Sequence, residues 1–203
     1  LLSGVFQGKT TGTPVMMILY NHDADPSAYD SIKDMFRPGH ADYTYTRKYG
    51  IRDWRGSGRA SGRETAGRVA AGALARKILS DRGVSILAYT VRSAGVQCER
   101  FVPDAIEQNP LRACDPDAAQ EMLERIEKIK AEDDSVGGLI ECRVRGVPAG
   151  LGEPVFDKLD AELAHGMLSI GSIKGIEFGA GFQAAEMTGS EHNDQMGPDG
   201  FLT

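Results

Sequence analysis

The sequence lacks long apolar runs and has few cysteines. No apolar stretch approaches the roughly 20 residues that cross a bilayer, and the start of the chain shows no secretory signal pattern. We therefore expect a cytoplasmic protein without a membrane anchor. Its three cysteines, at positions 98, 114 and 142, are odd in number and widely spaced, with no Cys-x-x-Cys pair. This pattern predicts reduced structural thiols and no metal site.

Two common phosphate-binding motifs are also absent. No Gly-x-x-x-x-Gly-Lys-Ser/Thr sequence occurs. Gly56, Gly58 and Gly62 miss the Gly-x-Gly-x-x-Gly spacing by one residue, and the residues before them do not form the buried strand that a dinucleotide-binding turn requires. The sequence therefore predicts neither a P-loop nor a Rossmann turn.

One basic stretch stands out in an acidic chain of net charge -6. Between Arg47 and Arg68 there are seven basic residues and two acidic ones, which gives this stretch a net charge of +5. Guanidinium groups match the geometry of phosphate oxygens bidentately, so the stretch predicts a site for a phosphorylated ligand. A solvated basic face is the commoner explanation of such a charge run and stays open at this point.

The glycine-rich part of this stretch leads into a predicted helix. Ser61 and Glu64 have the spacing of a capping box, and the helix is expected over residues 62–79. A glycine-rich loop that feeds a helix N-terminus presents unpaired N–H groups to an anion. The helix is rich in glycine and alanine, which predicts close packing in the middle of a layer.

The rest of the chain predicts a layered α+β domain. Asp115 and Pro116 have the pattern of an N-cap and a first helical residue, followed by a surface helix. A further helix is expected to hold the apolar residues 155, 156, 159, 163 and 167. Strands are expected at 15–20, 84–91 and 139–147, and within 169–179.

Several motifs together resemble the chorismate synthase signature. They are His40-Ala-Asp-Tyr-Thr-Tyr, Lys48-Tyr-Gly, and the run from Arg55 to Gly72 that contains Arg-Gly-x-Gly-Arg-x-Ser-x-Arg-Glu-Thr. Segments 8–14, 134–138 and 148–157 are also similar to that family. The resemblance covers about residues 3–201 and implies one domain over 1–203. Motifs that the family carries nearer its two ends are absent, so we expect a chain truncated at both ends.

The resemblance implies a fold, an assembly and a reaction. Chorismate synthases have a helical core between antiparallel β-sheets and form homotetramers. They are lyases of the shikimate pathway, which supplies aromatic amino acid biosynthesis. With reduced FMN (FMNH2) they carry out the anti-1,4-elimination of phosphate from 5-enolpyruvylshikimate 3-phosphate, giving chorismate. A phosphorylated small molecule is therefore the expected partner, with no membrane and no nucleic acid.

The same resemblance implies roles for particular residues. His40 matches a histidine proposed to protonate the reduced flavin, a role that suits an imidazole because it titrates near neutrality. Flavin contacts are implied at two places, Arg59, Ala60 and Ser61 in one and Gly171 and Ser172 in the other. The sequence departs from the family at four positions, with Ser57 for glycine, Ala60 for serine, Gly62 for alanine, and Gly171 for asparagine or proline. By position alone, Arg52, Arg55 and Arg63 are candidates for the substrate phosphate.

Three alternatives to this lyase function remain open. The chain alone is expected to be inactive, because the segments that carry the remaining catalytic groups are absent. A bifunctional enzyme that also reduces FMN with NADPH is possible in this family, although no residues here form a recognisable nicotinamide site. A non-enzymatic module could instead bind anions or nucleic acid through Arg47–Arg68. The net charge of -6 argues against this alternative.

Overall fold

The computed structural model describes residues 1–198 and 200–201 and divides into two compact units. One unit is Leu1–Ala71 with Ala149–Thr203, and the other is Gly72–Pro148. The prediction of a single domain is not tested by this division and stays a prediction.

Short helices and antiparallel strands alternate along the chain. The α-helices are α1 (Asp42–Tyr49), α2 (Thr65–Ser80), α3 (Pro116–Ala131), α4 (Leu159–Leu168) and α5 (Gly189–His192). The strands are β1 (Val5–Phe6), β2 (Lys9–Thr10), β3 (Ser85–Ser93), β4 (Val96–Gln97), β5 (Gly138–Arg145), β6 (Met196–Gly197) and β7 (Gly200–Phe201). Five 3₁₀ helices span Pro26–Ile32, Gly58–Ala60, Gly62–Glu64, Pro103–Gln108 and Gly181–Glu186. Among the described residues, no helix has the length and apolarity to cross a membrane.

The second unit contains a three-stranded antiparallel sheet in the order β4-β3-β5. Ala94 and Gly95 join β3 to β4 and both have positive φ angles, of 50° and 77°. Two such residues match a type I′ hairpin turn, whose twist suits the flanking strands. The predicted strands at 84–91 and 139–147 are thus confirmed as β3 and β5.

Apolar burial is concentrated in this second unit. Among the described residues, every buried hydrophobic side chain lies between positions 84 and 122, and Tyr89, Ile106 and Met122 are the largest of those fully buried. Helix α3 contributes Met122 to this core and begins as predicted, since the Asp115 side chain accepts a hydrogen bond from the backbone N–H of Asp117. Burial of these side chains supplies the hydrophobic stabilisation of this unit.

In the first unit, the best-buried side chains are polar. Asp42 and Ser57 are its buried side chains among the described residues, with exposed fractions of 3% and 9%. Asp42 belongs to the His40-Ala-Asp-Tyr-Thr-Tyr motif and Ser57 to the basic stretch from Arg47 to Arg68, the two regions that the sequence marks as functional.

Several secondary-structure predictions differ from the structure. Residues 15–20 form no strand beyond a single bridge between Ser3 and Met16, and residues 169–179 form turns and loop. Val155 and Phe156 precede α4 and are exposed. Strand β5 is exposed on both faces, although the alternation of its residues predicts only one exposed face. A periodic apolar pattern predicts that a segment will be covered, but it does not identify what covers it.

Helix α2 is present as predicted, although none of its residues is buried within the described chain. The close packing predicted from the glycines and alanines of α2 is therefore not observed within the described residues.

Candidate functional site

A tight turn presents His40. Arg37, Pro38, Gly39 and His40 form the turn, with the backbone N–H of His40 donating to the carbonyl of Arg37 at 3.3 Å. Gly39 has a φ angle of 68°. Proline at the second position and a glycine with positive φ at the third are typical of a type II turn. The turn therefore brings the side chains of Arg37 and His40 to the same place.

Asp42 fixes this turn from the first residue of α1. Its Oδ2 accepts a hydrogen bond from the Arg37 backbone N–H at 3.1 Å and another from Arg37 Nε at 2.8 Å. Its Oδ1 lies 2.9 Å from His40 Nδ1 and 3.1 Å from a nitrogen of Arg52. One buried carboxylate thus joins three charged or titratable side chains.

The charge of this carboxylate is maintained by its partners. Hydrogen bonding from the Arg37 guanidinium holds the pKa of Asp42 well below its usual range, although burial opposes the shift. The same pairing raises the pKa of Arg37. Asp42 is therefore an ionised acceptor throughout the physiological range of pH.

The glycine-rich loop meets this cluster through Ser57. Gly56, Ser57 and Gly58 have consecutive positive φ angles of 93°, 69° and 51°. The Ser57 hydroxyl accepts a hydrogen bond from Arg37 Nη2. The His40 turn and the loop, 20 residues apart in sequence, are therefore joined by one guanidinium group.

The residues after Gly58 form two short 3₁₀ turns rather than an open cradle. The N–H groups of Ala60 and Ser61 donate to the carbonyls of Ser57 and Gly58 at 2.9 and 3.3 Å. Ser61 caps the second turn, and its hydroxyl accepts from the Arg63 N–H at 3.4 Å. The unpaired N–H groups expected at this position are thus already bonded within the loop at residues 60, 61 and 63.

The predicted capping box is wrong in both halves, because the Ser61 hydroxyl accepts from the Arg63 N–H rather than from the Glu64 N–H. The backbone N–H of Ser61 bonds to Gly58 rather than to the Glu64 side chain. Arg59 Nη1 takes both oxygens of that carboxylate, each at 3.0 Å. Residues Gly62–Glu64 form a 3₁₀ turn, so α2 begins at Thr65, three residues later than expected.

The three arginines proposed for phosphate have different environments. Arg52 is 11% exposed and donates to the carbonyls of Lys33 and Met35 as well as pairing with Asp42. Arg55 is 64% exposed, with its Nε 3.7 Å from Asp53. Arg63 is exposed and donates to the carbonyl of Gly56 at 3.2 Å. Arg55 and Arg63 are accessible to an anion, whereas the Arg52 guanidinium is held inside the framework of the turn.

Gly171 and Ser172 lie in an exposed turn after α4. Ser172 has a φ angle of 71°. The segment is tied to the start of α2 because Arg68 Nη2 donates to the carbonyl of Ser169 at 2.9 Å. The second predicted flavin contact thus has a hydrogen-bonded connection to the helix that follows the glycine-rich loop.

Sequence reasoning named His40 but missed Arg37, Asp42 and Ser57. The Pro-Gly turn and the position of Asp42 at the first turn of α1 were the signals that could have placed them together. No pattern in the sequence shows that Arg52 returns to Asp42, because this contact depends on the path of the chain after α1.

These features define an α+β chain in which a histidine turn and a cationic glycine loop form one polar cluster. The family model for chorismate synthase matches residues 1–201, and the chain belongs to that family. The resemblance inferred from the motifs is thereby confirmed.

Individual relatives agree with this assignment. The chain is 55% identical over all 203 residues to a chorismate synthase of Syntrophobacter fumaroxidans, of which it covers 58%. It is 51% identical over 208 aligned residues to a chorismate synthase of Methanosarcina mazei, covering 57% of that protein. A crystal structure of a chorismate synthase matches with a TM-score of 0.71 and 33% identity, over 80% of this chain and 54% of that one. The α+β fold class is therefore confirmed, and the chain spans rather more than half the length of the curated relatives it matches.

Proposed function

We propose that this chain carries the proton-donating histidine and the flavin-binding loop of a chorismate synthase. Such an enzyme eliminates phosphate from 5-enolpyruvylshikimate 3-phosphate to give chorismate and requires reduced FMN. The observation that supports this most directly is the hydrogen bonding of Arg37 to both Asp42 and Ser57, which unites the His40 turn with the glycine-rich loop.

The exposed donors suit a phosphorylated flavin. Arg59 is 82% exposed and Arg63 is also exposed, so both can approach a phosphate or an anionic ring. Ala60 has only a methyl group, and its N–H is bonded to Ser57, so its carbonyl is the polar backbone group that it can offer. Ser61 retains a hydroxyl, and Gly171 and Ser172 provide the second contact. We propose that these five residues hold reduced FMN.

His40 supplies the proton in this proposal. When bound, reduced FMN supplies electron density as phosphate leaves and regains it as the C6 hydrogen is lost. The chain's own contribution is placement and electrostatics. The His40 side chain is 23% exposed, so the ring can be reached by a ligand while Asp42 holds one of its nitrogens.

For the substrate phosphate, we favour Arg55 and Arg63 over Arg52. The exposed guanidinium groups can turn their paired N–H donors to phosphate oxygens. Arg52 would first have to leave Asp42 and two backbone carbonyls, exposing a buried carboxylate.

We also propose a homotetramer in the cytoplasm. Leu139 and Ile140 on β5 are 58% and 64% exposed, and they lie on opposite faces of the strand. Further copies of the chain would cover such apolar side chains. Three free cysteines fit a reducing compartment.

The reaction is best tested in a chimera. The 203 residues would replace the matching segment of the Syntrophobacter fumaroxidans relative, of which they cover 58%. Under anaerobic conditions with reduced FMN and 5-enolpyruvylshikimate 3-phosphate, we expect phosphate release. His40→Ala should lower the rate on the order of 10²- to 10⁴-fold, the usual contribution of a positioned acid or base.

The matched control is His165→Ala, which removes an exposed histidine of α4 and should leave the rate unchanged. A chimera that binds flavin but releases no phosphate, beside an active parent enzyme, would contradict the proposal. An unchanged rate in His40→Ala would contradict the role of His40.

A further inference from the structure

The contacts of His40 distinguish its two ring nitrogens. Nδ1 lies 2.9 Å from the ionised Asp42 carboxylate. A carboxylate accepts hydrogen bonds and cannot donate one, so the proton between the two groups belongs to Nδ1. The neutral ring that fits this contact is the Nδ1–H tautomer.

Arg37 does not compete for that nitrogen. Its Nη2 lies 3.2 Å from Nδ1 and 3.3 Å from Nε2. At nearly equal distances from both ring nitrogens, an atom in the ring plane would collide with Cε1. Arg37 Nη2 must therefore lie above the face of the ring. This guanidinium nitrogen thereby leaves the in-plane direction of Nε2 to another partner.

Asp42 itself is held rigidly. Two guanidinium groups and the Arg37 backbone N–H contact the carboxylate, which is 3% exposed. Its position at the first turn of α1 also suits a negative charge, because the helix N-terminus is electropositive. A carboxylate fixed in this way can fix the orientation of a ring that it contacts.

We propose that Asp42 positions His40, an inference that rests on the proposed function of His40. Asp42 holds the Nδ1–H group and thereby leaves Nε2 to transfer a proton to the bound ligand. The charged ring carries a proton on each nitrogen. When the Nε2 proton passes to the acceptor, the Nε2–H bond breaks and its electron pair remains on Nε2. The product is the neutral Nδ1–H ring, which is the form that Asp42 stabilises.

The inference is tested on the 203-residue chain labelled with ¹⁵N-histidine, without flavin. Long-range ¹H–¹⁵N spectra report the tautomer of each of the four histidines, and His40→Ala assigns the signal of interest. We expect neutral His40 to be predominantly Nδ1–H. A predominantly Nε2–H ring in the wild-type chain would overturn the proposal.

Asp42→Ala should shift His40 to the Nε2–H form that unrestrained histidines favour, while the other three histidines keep their signals. If circular dichroism shows that this variant is unfolded, Asp42→Asn replaces it and should lower the Nδ1–H fraction. The matched control, Asp34→Asn, makes the same change of charge at an exposed carboxylate in the same segment and should have no effect. An unchanged tautomer in the Asp42 variant, or an equal shift in the control, would overturn the proposal.

A second readout separates this inference from the proposed function. In the chimera, Asp42→Asn should lower the rate of phosphate release on the order of 10- to 100-fold. It should have little further effect when His40 is already alanine, because the two residues act as one unit. Additive losses would overturn the positioning role. An unchanged rate in His40→Ala would instead remove the proposed function and leave the tautomer result standing.

Discussion

At the scale of single residues, Ser57 links two parts of the site at a conformational cost. Its φ angle of 69° lies in the left-handed region, which non-glycine residues adopt at about 1–2 kcal/mol. Its hydroxyl accepts a hydrogen bond from Arg37, and bonds to charged groups contribute about 1.5–3 kcal/mol. The contact therefore offsets the backbone strain that serine introduces at this position.

A pair of substitutions separates these two effects. Ser57→Ala keeps the strained backbone and loses the hydrogen bond, whereas Ser57→Gly loses the bond but relieves the strain. We expect both variants to be less stable than the wild type, with Ser57→Ala less stable than Ser57→Gly by about 1 kcal/mol. Urea unfolding measures the difference, and an alanine variant as stable as the glycine variant would contradict this account of the loop.

The residue scale also shows where sequence reasoning stops. The odd, multi-residue motifs around His40 and Arg59 were sufficient for the family. They did not distinguish Arg52 from Arg55, because both are basic residues in the same stretch. Burial separates them, since the structure buries Arg52 against Asp42 and leaves Arg55 exposed.

At the scale of elements, α3 shows local sequence and tertiary contact acting together. Asp115 caps the helix and also accepts hydrogen bonds from the Arg100 side chain and from the backbone N–H groups of Glu99 and Arg100. These hydrogen bonds, chiefly the one from the Arg100 side chain, lower the pKa of Asp115 to about 2, although burial of the carboxylate opposes this shift. The cap therefore connects the start of α3 to the segment after β4.

This cap predicts a dependence of stability on pH. The folded-state pKa is lower than the unfolded value of about 3.9, so the contribution of Asp115 is complete above pH 4. It should decline as the pH falls from about 4 to about 2. Asp115→Asn retains a capping side chain but cannot titrate, so its free energy of unfolding should fall less over this range. Denaturant unfolding at several pH values measures the free energy of unfolding of the wild type and of Asp115→Asn. An equal loss of stability in the two proteins between pH 4 and pH 2 would contradict the proposed titration of Asp115.

Element predictions succeeded where the determinants are local. Asp115 and Pro116 specify the start of α3, and the apolar run at 84–91 is found within β3 and the loop residue before it. The strand expected at 15–20 failed because a strand requires a pairing partner, and the described chain supplies only the bridge from Ser3 to Met16. The start of α2 was placed too early because residues Gly62–Glu64 form a 3₁₀ turn before the α-helix begins.

At the scale of the whole molecule, the division into two units matches two kinds of stabilisation. The unit that contains α3 buries apolar side chains, whereas the unit with His40 buries Asp42 and Ser57. A polar cluster of this kind is stable only while its partners stay hydrogen-bonded. The site is therefore expected to be more sensitive to single polar substitutions than to losses of apolar volume in its own unit.

The exposed strand β5 predicts self-association. Ile140 is 64% exposed on a strand that pairs on one edge with β3. We expect sedimentation velocity to show a tetramer, and we expect Ile140→Asp to shift it towards smaller species because a charge would have to be buried. Arg145→Gln, at the end of the same strand, is the control and should assemble normally. A monomeric wild type, or an unaffected Ile140→Asp, would contradict the proposed assembly.

We propose that the loop from Arg59 to Ser61 binds reduced flavin beside His40. The most direct measurement is an anaerobic titration of the 203-residue chain with reduced FMN, followed by flavin absorbance, for the wild type, Arg59→Ala and the control Arg112→Ala. We expect saturable binding that Arg59→Ala weakens about tenfold or more, as expected for loss of a charge-assisted contact, and that Arg112→Ala leaves unchanged. No binding by the folded wild-type chain, or equal binding by all three, would exclude a flavin site at this loop and favour a general anion-binding role for the basic stretch.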